Sequence, residues 1–239
     1  MNKWFITKHK KNNQNKIKMK QLTAFLSLTL LLCTIQMKVS AQVNDIDGHI
    51  YKTAKIGTQT WMVENLNVGH FRNGDAIPEL KEVTAWKIAG RMSKAGWYNN
   101  HTDTSNRNKY GKLYNGHAVG DDRGLAPAGW HVATDADWAT LIDYLGGPTN
   151  AGTKMKSTTA WDSSGNGNNK SGFSGLPVGF RSSSDGSTDL IGIEGTWWSS
   201  TDAPAFGFRW CYILIHNKES IERSKHKNGA GMSVRCVKD

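Results

Sequence analysis

The chain has 239 residues, ten of them Trp, and a formal charge of +10. That charge belongs to the front of the chain: residues 1–41 carry eight Lys and no acidic residue, so removing them takes +10 to +2 for residues 42–239. A nucleic-acid interface argued from net charge is excluded with it, because phosphate binding needs a clustered basic face, and the one basic run left, Arg223-Ser-Lys225-His-Lys227, reads as a solvated hairpin.

In chain order, residues 1–41 read as a secretory signal peptide. Lys3, Lys8, Lys10, Lys11, Lys16, Lys18 and Lys20 precede the apolar run Leu22 to Ile35, and Val39-Ser40-Ala41 offers a small-residue cleavage site before Gln42. The run is shorter than the roughly 20 residues a spanning helix needs, and Gln36 and Lys38 close it, so no membrane span is expected after cleavage. Translation from Met19 gives a signal of more ordinary proportions. Cys33 is not read as a lipid-attachment site, since Leu32 stands where a small residue is expected. Cys211 and Cys236 remain; in an oxidising compartment they are candidates for one disulfide, the alternative being a free, buried thiol at Cys236.

Residues 42–239 suit one domain, with no fixed-period repeat and no charged or Pro-rich linker. Asp45-Ile46-Asp47-Gly48 is expected to be an Asp-Gly turn and not a calcium loop, which needs more oxygen ligands and a later Glu. The alternating run His49 to Ile56, then Gly57-Thr58-Gln59 and Thr60-Trp61-Met62, predicts a β-hairpin. From Asn67 to Asn108 the glycines and Pro78 break every periodicity, so this stretch is read as loop on the aromatic anchors Trp86, Trp97 and Tyr98, and as a candidate ligand surface. Asp135 to Leu145 is the clearest helix: Thr134 caps it, Asp137 follows three residues on, and Trp138, Leu141, Ile142 and Leu145 recur at helical spacing. Asp135, Asp137 and Asp143 are read as helix-end and solubility charges, not a catalytic pair, and His131 as a hydrogen-bonded structural histidine. The stretch Gly172 to Trp210 mixes aromatics with Gly, Ser and Asp, the punctuation of short strands. Within it an extended Trp197-Trp198 places one indole on each face, one for the core and the other for a second core layer or a surface platform. The end of the chain reads as three short antiparallel strands, over Phe206 to Ile215, Ser220 to Arg223 and Met232 to Val237.

Several runs taken together, DIDGHIYKTAKIGTQTWMVENLN (45–67), WYNN (97–100), YGKLYN (110–115), PAGWHVATDADWATLIDYLGG (127–147), GFSGLPVGFR (172–181), WWSST (197–201) and MSVRCVKD (232–239), closely resemble the Fibrobacter succinogenes major paralogous domain. The resemblance spans essentially all of residues 42–239. It implies an α+β, C-type lectin-like fold, two helices flanking short antiparallel sheets with long loops, and a secreted or surface protein of Bacteroidetes-type bacteria. Members of that family commonly carry a Cys before Pro-x-Gly-Trp-His, as if to bridge the Cys of the terminal Ser-Val-Arg-Cys; here Ala126 stands in its place. The calcium-dependent sugar motifs of the lectin group do not match either, since Pro177 lies in Leu-Pro-Val and Trp198 is followed by Ser199-Ser200.

No catalytic constellation emerges. The serine runs at 182–184 and 199–200 lack a base at recognisable spacing. The expected function is therefore an exported, non-catalytic module that binds a glycan or a protein at the bacterial cell surface, with Trp86, Trp97, Tyr98, Trp197 and Trp198 as candidate ligand contacts and no cofactor or metal. The alternatives are a cryptic enzyme similar to the formylglycine-generating group, with Cys211 and Cys236 holding copper, and a purely structural surface protein.

Overall fold

The computed structural model describes residues 42–100 and 109–239. The signal segment 1–41 and the end of the 67–108 stretch lie outside the described residues. Among those described, no helix is long and apolar enough to cross a membrane.

The fold is α+β. Strands β1 (Gln42–Asn44), β2 (Ile50–Ile56), β3 (Gln59–Met62), β6 (Trp130–Val132) and β13 (Cys236–Lys238) form one sheet in the order β1-β2-β3-β13-β6. Strands β9 (Glu194–Asp202), β10 (Phe208–Ile215) and β11 (Ile221–Lys227) form a second, and β4 (Trp97–Tyr98), β5 (Leu113–Asn115), β12 (Gly231–Met232), β7 (Phe180–Arg181) and β8 (Thr188–Asp189) a third. Every pairing between these strands is antiparallel. The expected hairpin is present as β2 and β3, with Ile56 opposite Gln59. The turn before it is an Asp-Gly turn: Gly48 has φ 83° and Asp45 Oδ1 accepts from the Asp47 and His49 amides, each at 2.9 Å.

The described residues hold four helices where the resemblance implies two: α1 (Val83–Arg91), α2 (Gly116–Val119), α3 (Asp135–Tyr144) and α4 (Pro148–Met155). The helix α3 is the predicted one. Thr134 Oγ1 accepts from the Asp137 amide at 3.1 Å and Asp137 Oδ2 accepts from the Thr134 amide at 2.9 Å, a reciprocal cap. Asp135 does more than its position at a helix end suggests, since it takes both Arg223 Nε and Nη2 at 2.8 Å and the Tyr212 hydroxyl at 2.8 Å. Helix α1 corrects the reading of residues 67–108 as loop throughout. Its cap residue Glu82 makes no side-chain bond to the helix and Gly90 interrupts the last turn, so neither end announces itself; packing of Trp86 and Ala89 holds it.

Two core clusters share the strand β9. Trp197 packs with Trp61, Trp138, Phe173, Tyr212 and Leu214; Trp198 packs with Met62, Tyr114, Cys211, Met232 and Val234. The adjacent indoles do point to opposite faces, and both faces are core: each ring is 0% exposed. The surface-platform reading of this pair is thereby corrected.

The end of the chain ties the sheets together. It is three strands plus a short fourth, because β12 belongs to the third sheet and β13 to the first. Between them Ser233 lies beside β9, with its amide bonded to the Thr196 carbonyl at 3.1 Å and its carbonyl taking the Trp198 amide at 3.0 Å. Two residues on, the Arg235 carbonyl takes the Ala133 amide at 3.0 Å.

The expected disulfide is absent. Cys211 on β10 and Cys236 on β13 are free, buried thiols in different sheets, and Ala126, at the place of the family's other cysteine, lies in the same cluster as both. Protein lacking residues 1–41, denatured without reductant, is expected to titrate two thiols per chain, and the native protein essentially none. A result of zero in the denatured protein would show a bridge that the fold does not contain.

Candidate functional site

The sequence-predicted contacts do not meet at a surface. Trp86 is buried beneath α1, with the Arg181 guanidinium 4.7 Å from its ring. Trp97 is half-buried, its Nε1 donating to the Ile77 carbonyl at 2.8 Å and its ring faced by the Lys112 ammonium at 4.5 Å. The half-buried ring of Tyr98 is covered by Arg181 at 4.0 Å. Trp86, Trp197 and Trp198 are thus core residues, and of the five only Trp97 and Tyr98 keep partial exposure. His131 is the structural histidine expected, bonded through Nδ1 to Asp239 at 2.7 Å and through Nε2 to Asp137 at 3.0 Å; these partners outweigh partial burial and raise its pKa.

The open concavity lies elsewhere. Helix α1 contributes Lys87, Gly90 and Arg91 along one wall of a cavity of about 480 Å³, and the β9–β10 turn places Phe206 and Gly207 on the other. Ser183 and Ser184 and the Asn228-Gly229 turn after β11 complete it. Two glycines make the floor possible: a Cβ on Gly90 would stand 3.1 Å from the Gly229 Cα, and one on Gly229 3.3 Å from the Gly90 Cα, so the two backbones approach only because both side chains are missing. Phe206 is fully exposed, on a turn whose Gly207 has φ 76° with open space around it. Leaving a whole phenyl ring in water forgoes about 2 kcal/mol of burial, and a ring so placed is a candidate contact.

A second cavity of about 390 Å³ shares Ser93, His117 and Asn228 with the first and runs on toward Asp121, Asp122 and Asp202. His117 at the junction is half-buried; that burial presses its pKa below the usual histidine value in spite of the bond from Nε2 to the Gly90 carbonyl at 3.1 Å. It is a neutral donor at pH 7 and does not touch a serine hydroxyl. Arg209, buried behind the junction, pairs with Asp202 at 2.8 Å and donates to the Ser200 carbonyl.

Away from the linings of both cavities, a buried polar network holds β3, β9 and the chain terminus together. Asn65 Oδ1 accepts from Trp197 Nε1 at 2.8 Å and from Arg235 Nε at 2.7 Å, while its Nδ2 donates to the Tyr110 carbonyl at 2.9 Å. Ser233, Val234, Arg235 and Cys236 are all fully buried. A family model described as the Fibrobacter succinogenes major domain matches residues 54–238. The chain belongs to this family. No curated protein and no solved structure matches the chain. In this Fibrobacter succinogenes major domain the runs that carry the resemblance, ENLN with Asn65 and Asn67, WWSST and the terminal SVRC, are largely buried and hydrogen-bonded, so they specify packing.

The groove residues were missed in the sequence. Alternation in the sequence groups Phe206 with Phe208 and Trp210 in one strand, whereas β10 starts at Phe208. The usable signal was Pro204-Ala-Phe-Gly207, a turn composition with an aromatic at its tip.

Proposed function

We propose that the chain is an exported, non-catalytic binding module of the C-type lectin-like group, whose ligand, a glycan or a protein of the bacterial cell surface, seats in the groove between α1 and the β9–β10 turn. Phe206 carries this reading: a fully exposed ring at the rim of a concavity floored by glycines and edged by serine hydroxyls suits a flat, polar-edged ligand such as a sugar ring. The size of the cavity, about 480 Å³, lies in the range of small-ligand sites.

The groove chemistry argues for binding over turnover. His117 spends its donor on a backbone carbonyl, and no serine at the rim is hydrogen-bonded to it. Burial pushes the thiols of Cys211 and Cys236 up to about 12, so both are protonated at neutral pH and sit in separate sheets, which does not suit a thiolate copper site.

A glycan array followed by titration calorimetry tests the proposal. Phe206→Ala is expected to weaken binding at least tenfold, about 1.4 kcal/mol, the loss of the aromatic contact at the rim of a small site. Tyr144→Ala, which truncates another exposed ring, is expected to change nothing. Equal affinity in Phe206→Ala would remove the groove as the site, and turnover of any arrayed glycan would overturn the non-catalytic reading.

A further inference from the structure

We infer that the ligand of this groove is a polyanionic glycan, a chain carrying carboxylates or sulfates, which runs from the groove out along the face formed by β10 and β11; this rests on the binding-module reading. The first observation is charge without compensation. Lys87, Arg91 and Lys227 line the groove and, among the described residues, no Asp or Glu does. Among the described residues, the ion pairs of Lys and Arg involve Lys81, Arg123, Arg209, Lys218 and Arg223, and none of these three. Three cations of one sign around one concavity repel each other, an arrangement that favours an anionic occupant.

The second observation is the register of the β10–β11 pair. Phe208 stands opposite Lys227, Trp210 opposite Lys225 and Tyr212 opposite Arg223, so all six side chains share one face of the sheet. Helix α3 covers the far end of that face: Tyr212 stacks on Trp138 at 4.7 Å, and Arg223 is bound to Asp135 and lies over Trp210 at 3.3 Å. What stays open is the near end, where Phe208 and Trp210 are half-exposed and Lys225 and Lys227 are exposed and, among the described residues, in no ion pair. Phe208 and Lys227 also line the groove, so the open strip is continuous with it. Aromatic faces alternating with ammonium groups match a sugar chain, whose apolar ring faces and anionic substituents alternate along its length.

The direction is set by the opposite end. Past His117 the second cavity is acidic; Asp202 is paired with Arg209 and Asp121 with Arg123, and Asp122 is in no ion pair among the described residues. An anionic chain is repelled there, and the strip toward Lys225 is its path. The same arithmetic disfavours nucleic acid: the four cations Lys87, Arg91, Lys225 and Lys227 are few for an interface that ordinarily buries on the order of 1,000 Å² or more of strongly basic surface.

The test is calorimetric titration of the full exported chain with polygalacturonate, its methyl-esterified neutral form, chondroitin sulfate and duplex DNA, repeated at raised salt. Binding to one or both anionic glycans, weakened at least tenfold by Phe206→Ala and by the double substitution Lys87→Gln with Lys227→Gln, and weakened by salt, is the expected result. Preference for polygalacturonate identifies carboxylates as the recognised group, and preference for chondroitin sulfate identifies sulfates. Equal binding of the neutral form would leave the groove a glycan site and overturn the polyanion inference. Binding of DNA as tight as that of the glycans and indifferent to Phe206→Ala would overturn it too, showing a nonspecific basic surface. No binding of any glycan, here and on the array, would overturn the polyanion inference and leave a protein as the ligand that the binding-module reading requires.

Discussion

Arg235→Met is expected to lose on the order of 3–5 kcal/mol of folding stability, a large share of what a domain of this kind has to lose. Arg235 is fully buried, and among the described residues no carboxylate forms an ion pair with it. Its Nε donates to Asn65 Oδ1 at 2.7 Å, its Nη1 to the Met62 and Phe173 carbonyls at 3.0 and 2.6 Å, and its Nη2 to the Ser174 carbonyl at 3.3 Å, while the guanidinium lies 4.3 Å from the Phe173 ring centroid. Burial presses its pKa down, and the carbonyl dipoles are what keep the cation tolerable. Met fills much of the same volume and removes the cost of burying charge. It also strips the buried Met62 and Phe173 carbonyls and the part-buried Ser174 carbonyl of a donor, while Asn65 Oδ1 keeps only its bond from Trp197; at about 1–3 kcal/mol for each buried group left unsatisfied, that side wins. Arg235→Lys is expected to be nearly as damaging, because one ammonium cannot span acceptors that a planar fork reaches together. Urea unfolding gives the answer: a lower midpoint with an unchanged slope is the expected result. A loss below about 1 kcal/mol in Arg235→Met would show that the acceptors find other partners and that the network is dispensable.

What the sequence made legible was whatever is written locally. Thr134 followed by Asp137 and an apolar stripe specifies α3, because cap and periodicity sit within one helix. The β2–β3 hairpin is likewise complete within fourteen residues, from His49 to Met62. Helix α1 was illegible since neither end carries a capping side chain, and its stability comes from Trp86 against residues far away in sequence, Arg181 and Gly231. For α4 a signal did exist, Pro148 at the first helical position after Gly146-Gly147, which the weak periodicity of Thr-Asn-Ala-Gly obscured.

The candidate site was the least legible part, for a different reason. Aromatic count points to Trp, yet large aromatics are the residues the core claims first, and the Trp pair was divided between two core layers. Two Gly-Phe-Arg runs, at 179–181 and 207–209, show the opposite case. A charged residue after a Gly-aromatic step suggests an exposed side chain, but Arg181 and Arg209 are both buried. Arg181 donates to the Leu80, Lys81 and Gly186 carbonyls and so fixes the approach to α1, one wall of the groove. Sequence pattern can mark such a residue as unusual; only the assembled fold shows which carbonyls it serves.

Trp138→Ala is expected to cost about 3–5 kcal/mol, and Trp138→Phe far less, below about 2 kcal/mol. The ring stands amid Trp61, Phe173, Trp197 and Tyr212 with centroids at 5.2, 5.6, 6.4 and 4.7 Å, so truncation to Ala opens a cavity that four large neighbours cannot fill without moving. The indole N–H, however, is buried with no hydrogen-bond partner. Phe keeps most of the ring contacts and discards that unpaired donor, which offsets part of the lost volume. Trp197 provides the contrast within the same cluster: its Nε1 donates to Asn65 Oδ1, so Trp197→Phe removes a made bond as well as volume and is expected to cost about 1 kcal/mol more than Trp138→Phe. Asp143→Ala, on the exposed side of α3, is expected to fall within about 0.5 kcal/mol of the parent. Equal costs for Phe and Ala at position 138 would mean that the indole N–H has a partner after all; equal costs for the two Trp→Phe changes would detach Asn65 from the stability of the cluster.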